Sequence, residues 1–252
     1  MMLINTEQTR PLTPFFARPY PSIKALNQSA IHDLFLSSKC SDEDRERFDE
    51  LIIHKVRIAK GADLYHAGGS SQYLYFVRVG SFKTILVSEQ GHSLVTGFAM
   101  SGEPIGLEAI TGERHVCTAL ALENSEVSLI SYHRLERLAR DLPLLQLSLN
   151  RMLSREIIRS QNMLITLGHC NAEKRLAIFV LGLSRGFALR GYSAQCFHLR
   201  MSREDIASYI GVRSETICRA IARLRDLRLM TFEGRNVEIM DLPLLEKFCQ
   251  RS

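Results

Sequence analysis

No apolar run in the 252 residues approaches 18, so a membrane-spanning helix of ordinary length is excluded. The first residues, MMLINTEQTRPLTPFF, lack the basic start and continuous apolar stretch of an export signal, and a cytoplasmic location is the expectation. Paired cysteines are missing too. The six, at 40, 117, 170, 196, 218 and 249, contain no CxxC spacing, which argues for reduced thiols and against a disulfide framework. His54, His66, His92 and His115 show no HxH spacing and no accompanying acid, so the metal set of a cupin-like enzyme is not written here, and no nucleophile motif replaces it. An enzyme is therefore not expected. A cupin-like small-molecule-binding barrel stays open as a competing class.

What is present is a globular composition, with 46% apolar and 23% charged residues in a length that suits two domains. The net charge of +5 is unevenly placed: residues 168–252 hold 14 Lys/Arg against 9 Asp/Glu, whereas residues 1–167 hold 18 of each. The basic excess thus lies entirely in the last third, where it favours a polyanionic partner.

Texture along the chain divides it into four. Residues 1–30 carry four of the seven prolines and little periodicity, as an extended arm would. Residues 31–140 begin with a short helix capped by Ser41, with acidic Asp42, Glu43 and Asp44 in its first turn and Phe48, Leu51 and Ile52 on its apolar face. Brief β-rich segments follow from 55 to 131, separated by glycines such as Gly61, Gly80, Gly91 and Gly102, which predicts an antiparallel barrel or jelly roll. Residues 141–168 are helical, and Leu149, Leu153, Ile157, Ser160, Leu164 and Leu167 recur at steps of three or four on one face. A seam this long exceeds what one small barrel needs, so we expect it to pair with the same helix of a second copy. Residues 169–252 form a second domain, opening on a helix capped by Asn171.

That second domain contains MSREDIASYIGVRSETICRAIARL, residues 201–224. Ser202 and Asp205 have the spacing of a capping box, Ala207 is small where two helices cross, and Gly211 supplies a sharp turn. Val212, Ile217, Ala220 and Leu224 then return a second helix onto the first, the spacing of a helix-turn-helix. Ser214 is read as opening and capping that second helix. Glu215 would accept from a cytosine amino group, Arg219 would grip a guanine bidentately, and Cys218 would meet a thymine methyl. Ser214, Glu215, Cys218 and Arg219 form the expected base-reading set. Ser202, Arg213, Arg223, Arg225 and Arg235 are expected on phosphates, which position without specifying. Arg235 belongs to TFEGRNVEI, residues 231–239, read as two strands of a wing.

These blocks, together with KGADLYHAG, LYFVRVGSFKT, SEQGHSLVTGF and NAEKRLAIF, resemble the CRP/FNR family of bacterial transcription regulators, and its FNR-like branch in particular. The resemblance covers roughly residues 29–240. It implies an α+β fold made of an N-terminal antiparallel β-roll of the cyclic-nucleotide-binding kind, a long dimerisation helix and a C-terminal winged helix-turn-helix. It further implies a homodimeric activator on a TTGAT-like palindrome, with RNA polymerase touched through the turn SEQGHSLV, residues 88–95, and as the alternative a haem- or thiol-responsive regulator acting partly as a repressor. There FNR-like proteins place acids where this chain has His92 and Ser93. Their E-x-x-S-R reading set appears as Glu215, Cys218 and Arg219, with cysteine in place of serine.

The sensor departs further. Positions matching the cysteines of the [4Fe-4S] relatives are Leu26, Ser29, Phe35 and Ser128, so no such cluster is expected. The cAMP-binding relatives' glutamate and Arg-Ser pair correspond to Leu107, Arg114 and His115, so no cAMP is expected either. Ser160 replaces an acid that opposes pairing in the dimer seam of oxygen-sensing relatives, and assembly without a cofactor follows. Three options for a signal stay open: haem on His32, His66, His92 or His115, a redox switch at Cys218, or no sensed ligand.

Overall fold

In the computed structural model, residues 41–110 and 112–250 are described. The expectations placed on residues 1–40, including the N-terminal arm, Leu26, Ser29, His32, Phe35 and Cys40, lie outside the described residues.

Ser41 Oγ accepts from the Asp44 amide at 3.1 Å and Asp44 Oδ2 accepts from the Ser41 amide at 3.2 Å, a reciprocal cap that opens α1 (Asp42–Asp49). The helix is shorter than its expected apolar face. Leu51 is buried beyond its end, and Ile52 begins β1 (Ile52–Ile58), where β-branched residues suit extended backbone better.

Seven further strands complete the barrel: β2 (Asp63–Tyr65), β3 (Tyr73–Val79), β4 (Ser81–Val87), β5 (Ser93–Met100), β6 (Pro104–Ile105), β7 (Thr118–Ala121) and β8 (Ser125–Ser131). They form two antiparallel four-stranded sheets, ordered β1-β8-β3-β6 and β2-β7-β4-β5. Gly80 joins β3 to β4 at φ +92°, and a Cβ there would lie 2.1 Å from Ser125 Oγ, so the turn requires glycine.

Helix α2 (Tyr132–Asp141) leaves the barrel and stops at Leu142, which is extended; Pro143, with its fixed φ, then starts α3 (Pro143–His169). At 27 residues, α3 is about 40 Å long. Its first half serves the barrel: Leu145, Leu149 and Met152 are buried with Phe48, Leu74, Phe76 and Leu135, and Leu153 packs beside them. This corrects the expected seam. Leu149, only 6% exposed, is covered by its own chain, because a barrel and a partner helix select the same three-to-four periodicity, and Leu153 beside it is half-buried. The second half differs. Ile157 is 58% exposed and Leu164 70%, with Ile158 and Ile165 also exposed, while Leu167 is half-buried and Ser160, exposed, donates to the Glu156 carbonyl.

The C-terminal domain consists of α4 (Ala172–Leu189), β9 (Cys196–His198), α5 (Arg203–Tyr209), α6 (Ser214–Asp226), β10 (Met230–Glu233), β11 (Asn236–Ile239) and α7 (Leu242–Gln250). Asn171 caps α4 by accepting from the Lys174 amide at 2.9 Å. The wing has a third strand, in the order β10-β11-β9, that the sequence pattern did not reveal.

This domain rests on the barrel. Phe98 of β5 meets Phe179 of α4 and Tyr209 of α5, with ring centroids 5.3 to 5.8 Å apart. Lys83 Nζ donates to Asp205 Oδ1 at 2.5 Å, the Val95 amide donates to Ser208 Oγ at 2.9 Å, and Arg190 pairs with Glu103 at 2.7 Å. Burial would raise the Asp205 carboxyl, but the bonds from Lys83 and Ser202 outweigh it and hold it below its ordinary value. A depressed carboxylate contributes stability above its unfolded pKa and loses it as pH falls through the folded one, so this contact is fully formed at neutral pH.

Candidate nucleic-acid interface

Helix α5 begins with the expected capping box: Ser202 Oγ accepts from the Asp205 amide at 3.1 Å and Asp205 Oδ2 accepts from the Ser202 amide at 3.0 Å. Gly211 turns the chain at φ +66°, in the left-handed region that a side chain disfavours. The Val212 amide then donates to the Ala207 carbonyl at 2.9 Å, and Ile217, Ala220 and Leu224 bury themselves against the domain core. All the spacings singled out in residues 201–224 are thus used as a helix-turn-helix.

One detail is corrected. Ser214 does not cap α6: the N-cap is Arg213, whose carbonyl accepts from the Thr216 and Ile217 amides, and no side chain caps this end. Ser214 is the first residue of the helix, and its hydroxyl is exposed.

With Ile217, Ala220 and Leu224 turned inward, helical geometry puts Glu215, Cys218 and Arg219 together on the outer face, and all three are exposed. Arg213, Arg223 and Arg225 are exposed as well, one at the head of the helix and two in its last turn. In the wing, Gly234 adopts φ +62° and Arg235 donates one N–H to the Arg200 carbonyl at 3.2 Å, leaving the rest of its donor fork in solvent. Ser202 is half-buried, and its oxygen is spent on the cap. Arg203, which sequence reading passed over, joins Ser202, Ile217, Phe232 and Arg235 around a cleft of about 260 Å³ between α5, α6 and the wing. Its place as the first residue of α5 was the available signal.

The barrel interior holds a second polar cluster. Glu108 Oε1 accepts from Tyr65 Oη at 3.2 Å and from Cys117 Sγ at 3.5 Å, and lies 3.1 Å from His115 Nδ1. Tyr65 and His115 stack with centroids 3.6 Å apart. Burial and then the Glu108 charge push the Cys117 thiol up to about 12, so this thiol is inert at neutral pH. His66 and His92 are exposed, and among the described residues no group of three His, Cys, Asp or Glu side chains, the Glu108 cluster included, is arranged to hold a metal ion.

An antiparallel β-roll joined by a long helix to a winged helix-turn-helix whose second helix turns an exposed polar face outward defines a DNA-binding regulator. The comparisons agree: a Crp-like helix-turn-helix domain model matches residues 174–248 and a cyclic nucleotide-binding domain model matches residues 55–141. The chain is 42% identical over 202 residues to the transcriptional regulatory protein Btr of Bordetella pertussis, covering 80% of this chain and 84% of that one. It is 36% identical over 224 residues to the transcriptional activator protein Anr of Pseudomonas protegens, covering 87% and 92%. The solved structure of FixK2 from Bradyrhizobium japonicum matches with a TM-score of 0.72 at 25% identity, over 79% of this chain and 98% of that one. The chain belongs to the CRP/FNR family of transcription regulators, which are not enzymes.

A cyclic nucleotide, which the barrel's class implies, does not fit these residues. Arg114, the one cation kept from the phosphate-binding pair, is exposed and donates to the Gly68 carbonyl at 2.6 Å. His115 turns inward onto Tyr65, and Leu107 is buried in the barrel core instead of offering a carboxylate to a ribose. Where an anion would need donors, the Glu108 carboxylate stands beside His115.

Proposed function

We propose that the protein acts as a homodimer on a palindrome of TTGAT-like half-sites and activates transcription without an iron-sulfur cluster, haem or cyclic nucleotide. The observation that carries the reading is the exposed triad Glu215, Cys218 and Arg219 on one face of α6. An acid facing DNA repels phosphates unless it meets a base donor, so Glu215 argues for sequence readout. Pairing is supported by the exposed apolar positions of α3, Ile157 and Leu164, and by neutral Ser160 between them. Against a cluster stands Ser128, the described one of the four positions that match the relatives' cysteine ligands: it is fully buried and carries a hydroxyl. Against haem stands His115, held inside by Tyr65 and Glu108.

The turn between β4 and β5, closed by the Ser88 amide donating to the His92 carbonyl, is the proposed contact for RNA polymerase. No helix among the described residues is long and apolar enough to cross a membrane, and a DNA-bound regulator would work in the cytoplasm.

The test uses protein purified in air, checked for iron and for haem absorbance, and titrated onto a TTGAT palindrome and a scrambled duplex. Cofactor-free protein should prefer the palindrome, with a log-log salt slope of about −5 to −7 if six to eight phosphates are neutralised. It should also raise transcription from a promoter carrying the palindrome. Affinity that appears only with bound iron, or that ignores the sequence, would refute the reading.

A second reading, a thiol-responsive regulator, is favoured by the exposure of Cys218 on the reading face. Peroxide would convert the thiol to a sulfenic acid with loss of water, placing a polar group where a methyl contact is expected. Parent protein should then lose operator affinity on treatment while Cys218→Ser should not. Equal behaviour of the two removes this reading.

A further inference from the structure

We infer that Lys83 and Glu103, both on the barrel, are positioning residues that set the half-site spacing this regulator accepts, through ion pairs to Asp205 and Arg190 of the DNA-binding domain. The inference rests on the dimeric, palindrome-reading function proposed above.

The covalent link between the two halves is slight. Helix α3 ends at His169, Cys170 is extended at φ −103° and ψ 143°, and α4 begins at Ala172. Arg175 braces this joint from one side, donating to the Leu167 carbonyl at 2.7 Å, to Cys170 at 2.8 Å, and to Ile210 and Gly211 at 3.2 Å. It ties the end of the seam helix to the turn of the helix-turn-helix but leaves rotation about that point to be fixed elsewhere.

The barrel edge supplies the second point. Strand β5 is the outer strand of its sheet, and its Val95 amide is taken up by Ser208 of α5. Beside it, Lys83 of β4, in register with Phe98 of β5, reaches Asp205; the side chains are 18% and 13% exposed, shielded enough for the pair to be directional. Asp205 divides its carboxylate, with Oδ2 capping α5 and Oδ1 held by Lys83, so the head of α5 and the barrel share one group. At the far end of α4, Arg190 donates to the Glu103 carboxylate and to the Ser101 carbonyl at 2.9 Å. From α3 itself, Arg159 donates to the Phe98 carbonyl at 3.5 Å. Barrel edge, seam helix and helix-turn-helix are therefore held at separated points, which is what fixing an angle requires.

That angle governs spacing. Two recognition helices must enter grooves one turn apart, about 34 Å, whereas one base pair is only about 3.4 Å. A small rotation of each domain on its barrel thus changes which operator fits, while the contacts of α6 to one half-site stay the same. Meanwhile the reading face is exposed with both ion pairs formed, so the arrangement holds the domain without covering its site.

The experiment measures affinity for the palindrome, for versions with one base pair inserted or removed at the centre, and for a single half-site. Lys83→Met, Glu103→Gln, their combination and Lys83→Arg are compared with the parent. The combined variant should reduce the parent's preference for its native spacing about tenfold. Affinity for the single half-site should stay within about twofold, and Lys83→Arg, which keeps the charge, should behave as the parent. Unchanged spacing preference in the combined variant overturns the inference. So does a loss on the half-site as large as that on the palindrome, because the pairs would then hold the fold of the reading domain itself. If the parent shows no preference for any palindrome over scrambled DNA, it is the proposed function that fails, and the spacing role falls with it.

Discussion

Arg219→Ala is expected to abolish most of the preference for the palindrome over scrambled DNA while leaving nonspecific binding nearly intact. Arg219 sits on the exposed face of α6, one helical turn from Glu215, and no ion pair with an acid is formed by its guanidinium among the described residues. A bidentate contact from arginine to a guanine is worth about 1–3 kcal/mol of discrimination, and a dimer makes it twice, so the loss should be roughly 2–6 kcal/mol. Even the low end is about a thirtyfold change in the specificity ratio. A truncation at the anchors Arg223 or Arg225 would behave differently, weakening all duplexes alike and reducing the salt slope by about one for each phosphate no longer held. Competitive titration of operator against scrambled duplex at two salt concentrations separates the two outcomes. A specificity ratio unchanged in the Arg219 variant would mean that α6 reads DNA through other side chains.

What the sequence made legible follows from how local each signal is. Ala207, Gly211, Ile217 and Leu224 lie within eighteen residues and must satisfy one turn and two packed helices, so their spacing alone reveals the motif. The cap of α6 falls one position before Ser214 because Arg213 and Ser214 both stand where a helix can begin, and the choice depends on backbone angles. The short strands β6 and β9, of two and three residues, have no room to show alternation. Leu149 carries the right periodicity for a seam but meets a different partner, since an apolar stripe does not say what covers it. The side-chain contacts that hold the two halves together were hidden altogether. Lys83 and Asp205 are 122 positions apart, and nothing in either neighbourhood marks the other.

The exposed half of α3 turns the remaining ambiguity into a measurement. Leu164→Asp changes a side chain that is 70% exposed in the single chain, so the thermal transition of the monomer should move little. In a dimer joined along α3, the same change removes two buried leucines, at about 1.5–3 kcal/mol each, and brings two carboxylates toward each other. The monomer–dimer equilibrium should then shift by at least ~3 kcal/mol, more than a hundredfold in dissociation constant. Sedimentation of parent and variant over a concentration series reads this directly. Palindrome binding should fall with it, whereas binding to a single half-site should not. Leu149→Asp should show the opposite pattern: that side chain is in the barrel core beside Leu145 and Met152, so it should unfold the barrel instead of merely separating the copies. A Leu164 variant that stays dimeric and keeps its operator would place the interface elsewhere on the chain and leave the exposed apolar face of α3 without its proposed role.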